Sequence, residues 1–346
     1  MTSTPTLDDP AAARQAAAEF NQIHDAVRAE VARMMVGQEP VVEGVLAALF
    51  IGGHVLLEGV PGLGKTLLVS SLGKAIDLSF SRIQFTPDMM PADIRGTNVL
   101  TENETGGTKL EFEAGPLVAN LVLADEINRA TPRTQSALLE SMQERQISVG
   151  NHTIILDEPF CVMATQNPVE QEGTYPLPEA QLDRFLFKLV VPYPTEDEYR
   201  TILRRTTASE VIELKAVARA EAVLRMRQVV RAVPVPEHVE SEAIRLVMAT
   251  QPNSPYSPKL VNEMVSLGAS PRGVQSLILA GKVRALREGR FAVAGEDLRA
   301  VALNVLRHRV LVNFHGLSDG VTPDDVVREV IRQVPAVGET TKSTAN

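Results

Sequence analysis

Among 346 residues there is one cysteine, Cys161, so the chain cannot close a disulfide within itself. A reducing compartment suits such a chain. Long apolar runs are missing too. The longest, Val45 to Leu57, covers about 13 residues and is interrupted by Gly52, Gly53 and His54, which is too short to cross a bilayer. The start of the sequence carries Asp8 and Asp9 instead of a basic segment followed by an apolar one, so no signal peptide is read there. Basic excess is absent: the net charge is −9, which offers no global attraction to nucleic acid or anionic membranes. The histidines, at 24, 54, 152, 238, 308 and 315, are scattered without metal-ligand spacing. No Ser/His/Asp grouping, internal repeat or low-complexity tract stands out. These absences predict a soluble, cytoplasmic protein that is not membrane-embedded. Apolar residues make up 44% and charged residues 22%, ordinary for a globular chain long enough for two domains.

What the chain does have is centred on residues 55–66. The apolar run Val55-Leu56-Leu57 leads into Gly59-Val60-Pro61-Gly62-Leu63-Gly64-Lys65-Thr66, which fits G-x-x-x-x-G-K-[ST]. Glycines let successive backbone N–H groups turn inward and form an anion-binding nest. A helix that starts at the loop faces the anion with its positive end. A lysine here reaches the β- and γ-phosphates, and a threonine hydroxyl can ligate Mg²⁺. Binding of a nucleoside triphosphate is the firmest functional inference.

In chain order, residues 1–9 are polar and read as a disordered tail. A helix over Ala11–Met35 follows, with Phe20, Ile23, Val27 and Val31 on one face. Another runs from Pro40 to Ile51 and a third from Lys65 to Ile76. Strands are expected at 54–58, 79–85, 121–124, 160–164 and 185–191. Two hairpins are expected, one pairing Gly96–Leu100 with Thr108–Phe112 around a tip at 102–107, the other over Gln146–Leu156 turning at Gly150-Asn151. Thr131-Pro132 reads as an N-cap and first helical residue. Strands separated by helices predict an α/β fold with a doubly wound parallel sheet. After Pro194 the pattern turns helical. The expected division is 1–19 (tail and start of the first helix), 20–194 (α/β core), 195–335 (a smaller all-α domain) and 336–346 (a disordered tail).

Several polar residues sit at ends of these strands. Asp125-Glu126 follows Leu121–Ala124. An acid at such a strand end helps hold Mg²⁺, and its neighbour can polarise an attacking water. Asn167, in Thr165-Gln166-Asn167-Pro168, reads either as a turn initiator or as an amide that orients water. Arg184 reads either as the partner of a surface acid such as Asp183 or as an arginine finger for a neighbour's γ-phosphate. Arg272 follows Ser270-Pro271 in a helical first turn, where a cation opposes the helix dipole, a hint of a phosphate partner. Cys161 is expected to be buried and inert. Arg307-His308-Arg309 reads as a solvated or capping cluster.

These segments in this order resemble the motifs of an AAA+ ATPase, and the likeness is nearest to the MoxR family. Val36-Gly37-Gln38-Glu39, Phe85-Thr86-Pro87-Asp88, Asp125-Glu126-Ile127-Asn128-Arg129-Ala130, Thr134–Glu140 and Gly268-Ala269-Ser270-Pro271-Arg272 carry it, over about residues 20–312. The resemblance implies a P-loop AAA+ core with a five-stranded parallel sheet and a smaller helical lid. It places ATP against Gly59, Val60, Pro61, Gly62, Leu63, Gly64, Lys65, Thr66 and Leu67. Gly37 and Gln38 lie near the adenine, and Thr66 and Asp125 hold Mg²⁺. Glu126 is the base, Asn167 sensor 1, Arg184 the arginine finger and Arg272 sensor 2. It further implies a homo-oligomeric, hexameric ring, so that Arg184 acts in trans. The resembling family remodels or activates protein partners in a chaperone-like way, often with von Willebrand factor A domain proteins. Three positions depart from the family pattern: Thr131 replaces a second proline, Arg95 a smaller or uncharged residue, and Gly273 an alanine. Rival readings are a nucleic-acid motor, a metal-chelatase ATPase subunit and a nucleotide-gated scaffold. The hairpin tips, with Glu102, Glu104 and Gly150-Asn151-His152, lack the basic residues a motor would present to phosphates.

Overall fold

Short apolar runs that end in a polar residue set up the central sheet. The structure is a computed structural model and describes residues 10–102, 108–150, 152–168, 173–207 and 212–335. The expected tails at 1–9 and 336–346, the hairpin tip at 103–107 and Asn151 lie outside the described residues. The strands are β1 (Val55–Glu58), β2 (Phe80–Gln84), β3 (Gly96–Glu102), β4 (Thr108–Ala114), β5 (Leu121–Asp125), β6 (Gln146–Val149), β7 (His152–Ile155), β8 (Cys161–Gln166) and β9 (Phe187–Val190). Five of them form one sheet in the order β2-β5-β8-β1-β9. The pairs β2–β5, β5–β8 and β1–β8 are parallel. In β1, β5 and β8 every residue but the last is buried, as expected for strands covered on both faces. Register then aligns the polar ends: Gln84 pairs with Asp125, and Glu58 with Gln166. The carboxyl edge of a parallel sheet is where ligands bind in open α/β folds.

The helices sit close to where the spacing predicts them, at Pro10–Met34, Glu39–Ile51, Lys65–Ile76 and Pro132–Glu144. Thr131 caps the last of these by accepting from the Thr134 N–H, with Pro132 at the first position. The two hairpins form as β3–β4 and β6–β7. Arg95, one of the departures from the family pattern, ends a short helix at Pro91–Arg95. Its guanidinium donates to the Ala137 carbonyl at 3.0 Å and to the Glu140 carboxylate at 2.5 Å. Cys161 is buried, and its thiol donates to the Gly53 carbonyl at 3.2 Å.

By contacts the chain forms two compact units. One holds residues 23–184 and 189–224, and the other holds the described residues up to 22, 185–188 and those from 225 on. This partition counts 195–224 with the sheet, whereas the boundary expected at 194 counts it with the helices. The helical unit includes helices at Glu237–Met248, Pro271–Arg287, Gly295–Leu306 and Pro323–Gln333. It also carries a short antiparallel ribbon of β10 (Val265–Leu267) and β11 (Leu311–Val312). Gly273 lies where a Cβ would come within 3.3–3.4 Å of Ala269, Leu306 and Val247, so close helix packing accounts for this glycine.

One expectation in the helical unit divides: the solvated alternative for Arg307-His308-Arg309 fails, while the capping one holds in part, since Arg309 donates to the Val305 carbonyl in the last turn of Gly295–Leu306. His308 and Arg309 are not solvated: each is 7% exposed. The Arg309 guanidinium donates to the carbonyls of Phe185 (2.7 Å), Leu186 (3.3 Å) and Val305, and to the Ser276 hydroxyl at 3.2 Å. His308 Nε2 lies 3.0 Å from the same Phe185 oxygen. Buried carbonyls must be paired, and these two side chains pair the ones at 185 and 186. The expected strand over 185–191 accordingly begins only at Phe187.

Candidate active site

The loop at 59–64 is shaped by its glycines. Gly62 and Gly64 take φ of 85° and 78°, a left-handed conformation that costs glycine little. Gly59 needs the absence of a side chain for another reason: a Cβ there would sit 2.9 Å from Val191 Cβ and 3.1 Å from its carbonyl oxygen. The helix Lys65–Ile76 begins directly after Gly64, and no side chain caps it. Its first N–H groups are thus available to an anion.

Beside this helix end lies a cavity of about 390 Å³. Pro61, Gly62, Gly64, Lys65, Thr66 and Leu67 form its loop wall, and Asp125, Glu126 and Asn167 its strand-end wall. Arg82 and Gln84 of β2 complete the lining. Neither was singled out in the sequence. Lys65 is folded onto the loop, its Nζ donating to the carbonyls of Gly59 (2.5 Å) and Val60 (3.3 Å). Burial holds its ammonium below the usual lysine range, while the carboxylates of Asp125 and Glu126 pull it back up.

The two acids are held by polar neighbours. Asp125 Oδ1 accepts from the Thr165 hydroxyl at 2.7 Å. Asp125 Oδ2 accepts from Arg82 Nη2 at 2.7 Å and Nε at 3.2 Å. Glu126 Oε2 accepts from Gln84 Nε2 at 2.8 Å and pairs with Arg129 Nε at 3.2 Å. The backbone of Glu126 is left-handed, with φ 58° and ψ 49°, a conformation of order 1 kcal/mol unfavourable for a residue with a Cβ. Its surroundings impose it. The Glu126 N–H donates to Thr165 Oγ1 at 2.8 Å, and its carbonyl accepts from Arg129 N at 2.9 Å to start a 3₁₀ turn at Ile127–Arg129. Thr165, 1% exposed at the end of β8, therefore orients both acids.

The remaining expected residues lie outside this lining. Gln38, at φ 61°, donates its side-chain amide to the Leu63 carbonyl at 3.0 Å. Gly37 faces the Glu198 carboxylate. Arg184 is partly buried and donates through Nη1 to the Leu139 carbonyl at 3.0 Å. Arg272 belongs to the helical unit, exposed in the first turn of Pro271–Arg287, where Ser270 accepts from its N–H at 3.1 Å.

The pocket's donor set suits a hard cation. It offers a carboxylate at Asp125 and a hydroxyl at Thr66, the oxygen ligands that Mg²⁺ takes alongside water and phosphate. Among the described residues no group of three or more His, Cys, Asp or Glu side chains is placed to hold a metal ion. Among the described residues no helix is long and apolar enough to cross a membrane.

Comparison with known proteins agrees with this geometry. Residues 54–187 match the model described as "ATPase family associated with various cellular activities (AAA)", and residues 258–330 match an AAA lid domain. The chain is 43% identical to Chaperone MoxR1 of Mycobacterium tuberculosis over 325 residues, which covers 94% of this chain and 85% of that protein. It is 31% identical to Protein MoxR of Methylorubrum extorquens, with 93% and 96% covered. A crystal structure of a protein from Cytophaga hutchinsonii superposes with a TM-score of 0.88 at 38% identity, covering 94% of this chain and 98% of that one. A P-loop core with a five-stranded sheet, a helical lid and relatives over nearly the full length lead to one assignment: the chain belongs to the MoxR family of AAA+ ATPases.

Proposed function

We propose that the protein hydrolyses ATP with Mg²⁺ and uses the cycle to remodel or activate a protein partner. The observation that carries this reading is the convergence of Lys65, Thr66, Asp125, Glu126 and Asn167 on one cavity at the carboxyl edge of the sheet. Each has a chemical task there. Lys65 exchanges the Gly59 and Val60 carbonyls for the β- and γ-phosphates. Thr66 and Asp125 hold the metal, which when bound neutralises charge on the phosphate oxygens. Glu126 polarises the attacking water as general base, and Asn167 orients it. Gly37 and Gln38 flank the loop on the adenine side, with Gln38 already tied to Leu63.

Arg184 and Arg272 are assigned from outside the cavity lining. Arg184 serves a neighbouring subunit's γ-phosphate in a hexameric ring, and Arg272 takes the sensor 2 role that the family resemblance assigns. The partner-remodelling role draws support from the name of the mycobacterial relative. A von Willebrand factor A domain protein is the partner class that the family resemblance favours.

Phosphate release by the purified chain tests the reading. Glu126→Gln should bind ATP and hydrolyse it about 10²- to 10⁴-fold more slowly; rapid turnover by that variant would remove Glu126 as the base. Arg184→Ala should bind ATP but not hydrolyse it. Activity regained on mixing it with Lys65→Ala protein marks action in trans. Affinity capture with Glu126→Gln and ATP then identifies the partner.

A further inference from the structure

Arg82 is not among the residues expected to act in this pocket, yet it engages the acid expected to hold the metal. It stands in the middle of β2, beside β5. Its guanidinium makes two contacts to one oxygen, Asp125 Oδ2, at 2.7 and 3.2 Å. The other oxygen, Oδ1, is taken by Thr165. Nη2 of Arg82 also donates to Gln84 Oε1 at 2.6 Å, and the Gln84 amide donates on to Glu126. The side chain is 47% exposed, whereas Asp125 is 14% exposed. The arginine therefore reaches the pocket from its solvent side and can withdraw to water at little cost, as exposed ion pairs do.

Charge makes the same point. The ionisable groups lining the cavity are two acids, Asp125 and Glu126, and two cations, Lys65 and Arg82. The lining is formally neutral as it stands. A divalent ion at Asp125 would lie close to the guanidinium that holds Oδ2, and like charges that close repel, less so on the side that water screens. A metal on Oδ2 would share that oxygen with a guanidinium 2.7 Å away, and each cation weakens the other's hold on it.

We propose that Arg82 is a resident counter-cation for Asp125, displaced from Oδ2 when a divalent cation arrives with the nucleotide, so that it sets how strongly the metal favours nucleotide binding. This rests on the reading of the pocket as an ATP–Mg²⁺ site. Without metal, Arg82 neutralises Asp125 and lets the phosphates approach. With metal, it is a competitor.

The test is binding, not turnover. A fluorescent, non-hydrolysable ATP analogue is titrated into the full chain, once in EDTA and once in Mg²⁺, and the ratio of the two Kd values measures the help given by the metal. Arg82→Ala should weaken binding in EDTA and raise the ratio about threefold to tenfold, the scale of a charge-assisted pair at a surface. Arg82→Gln, which keeps the length of the side chain, should shift it the same way, and serves if the alanine variant folds poorly. In an Asp125→Asn background, Arg82→Ala should no longer change the ratio. An unchanged ratio in both Arg82 variants overturns the proposal. Equal weakening in EDTA and Mg²⁺ also overturns it, since that is the behaviour of a phosphate ligand. If the unmodified chain binds the analogue no better than Lys65→Ala does, the ATP reading of the pocket fails and this inference with it.

Discussion

Arg82 in the pocket and Arg309 in the helical unit show two ways of holding a cation. Arg82 is half exposed and rests on a carboxylate, Asp125. Arg309 is 7% exposed and ends on the carbonyls of Phe185, Leu186 and Val305 and on the Ser276 hydroxyl. A guanidinium on an exposed carboxylate can be exchanged for another cation, because water solvates it when it leaves. A guanidinium buried among carbonyls cannot, because its departure strands buried acceptors such as the Leu186 and Val305 carbonyls away from water. The first arrangement suits a contact that must change during a cycle. The second suits one that must not.

The difference can be broken by changing one member of each region and measuring both stability and nucleotide binding. The largest expected effect is Arg309→Met, which leaves buried carbonyls unpaired and should lower unfolding free energy by about 3 kcal/mol. Urea unfolding measures it, and analogue affinity of the remaining folded protein should stay within about twofold. Lys65→Ala should do the reverse: affinity falls about thirtyfold, or roughly 2 kcal/mol, while the urea midpoint holds or rises because a half-buried ammonium is gone. A large loss of stability in Lys65→Ala would erase the contrast.

His308 gives a pH test of the buried region. Burial, reinforced by the cations of Arg309, Lys188 and Arg307, holds its imidazole well below 6.5, against the opposing hydrogen bond with Phe185. The unfolded chain then binds a proton that the folded chain refuses. Stability should therefore fall as pH drops below 6.5, by at most about 1.4 kcal/mol per pH unit from this residue. Urea midpoints between pH 7.5 and 5.5 should show that slope, and His308→Gln should flatten it. The smallest effect expected is Thr131→Ala, a lost N-cap worth about 1 kcal/mol. Calorimetry should show it with analogue affinity unchanged, placing a permanent contact in the same unit as the exchangeable one.

The sequence was informative where chemistry is local. The loop from Gly59 to Thr66 carries its own geometry, and the strands of the sheet appear as short apolar runs ending in Glu58, Asp125 and Gln166. The Thr131-Pro132 helix start was likewise readable, since a cap depends on residues a few positions apart. Arg82 and Gln84 were not readable as site residues. On an edge strand they look like an ordinary exposed face, and their task appears only once β2 lies beside β5. Thr165 was hidden for a related reason: its hydroxyl serves two residues about 40 positions earlier. Arg309 misled because a run of basic residues is solvated in most chains, and nothing nearby in sequence reveals the carbonyls of Phe185 and Leu186 that draw it inward.

The left-handed backbone of Glu126 bears on how such a chain drifts. At φ 58°, glycine or asparagine would be more comfortable than glutamate. Selection for folding alone would push this position away from the carboxylate, and a library sorted only for thermal resistance should enrich Gly or Asn at 126 while losing turnover. Glutamate at 126 works against the preference of its own backbone, and a screen for stability alone would select against the side chain proposed here as the base.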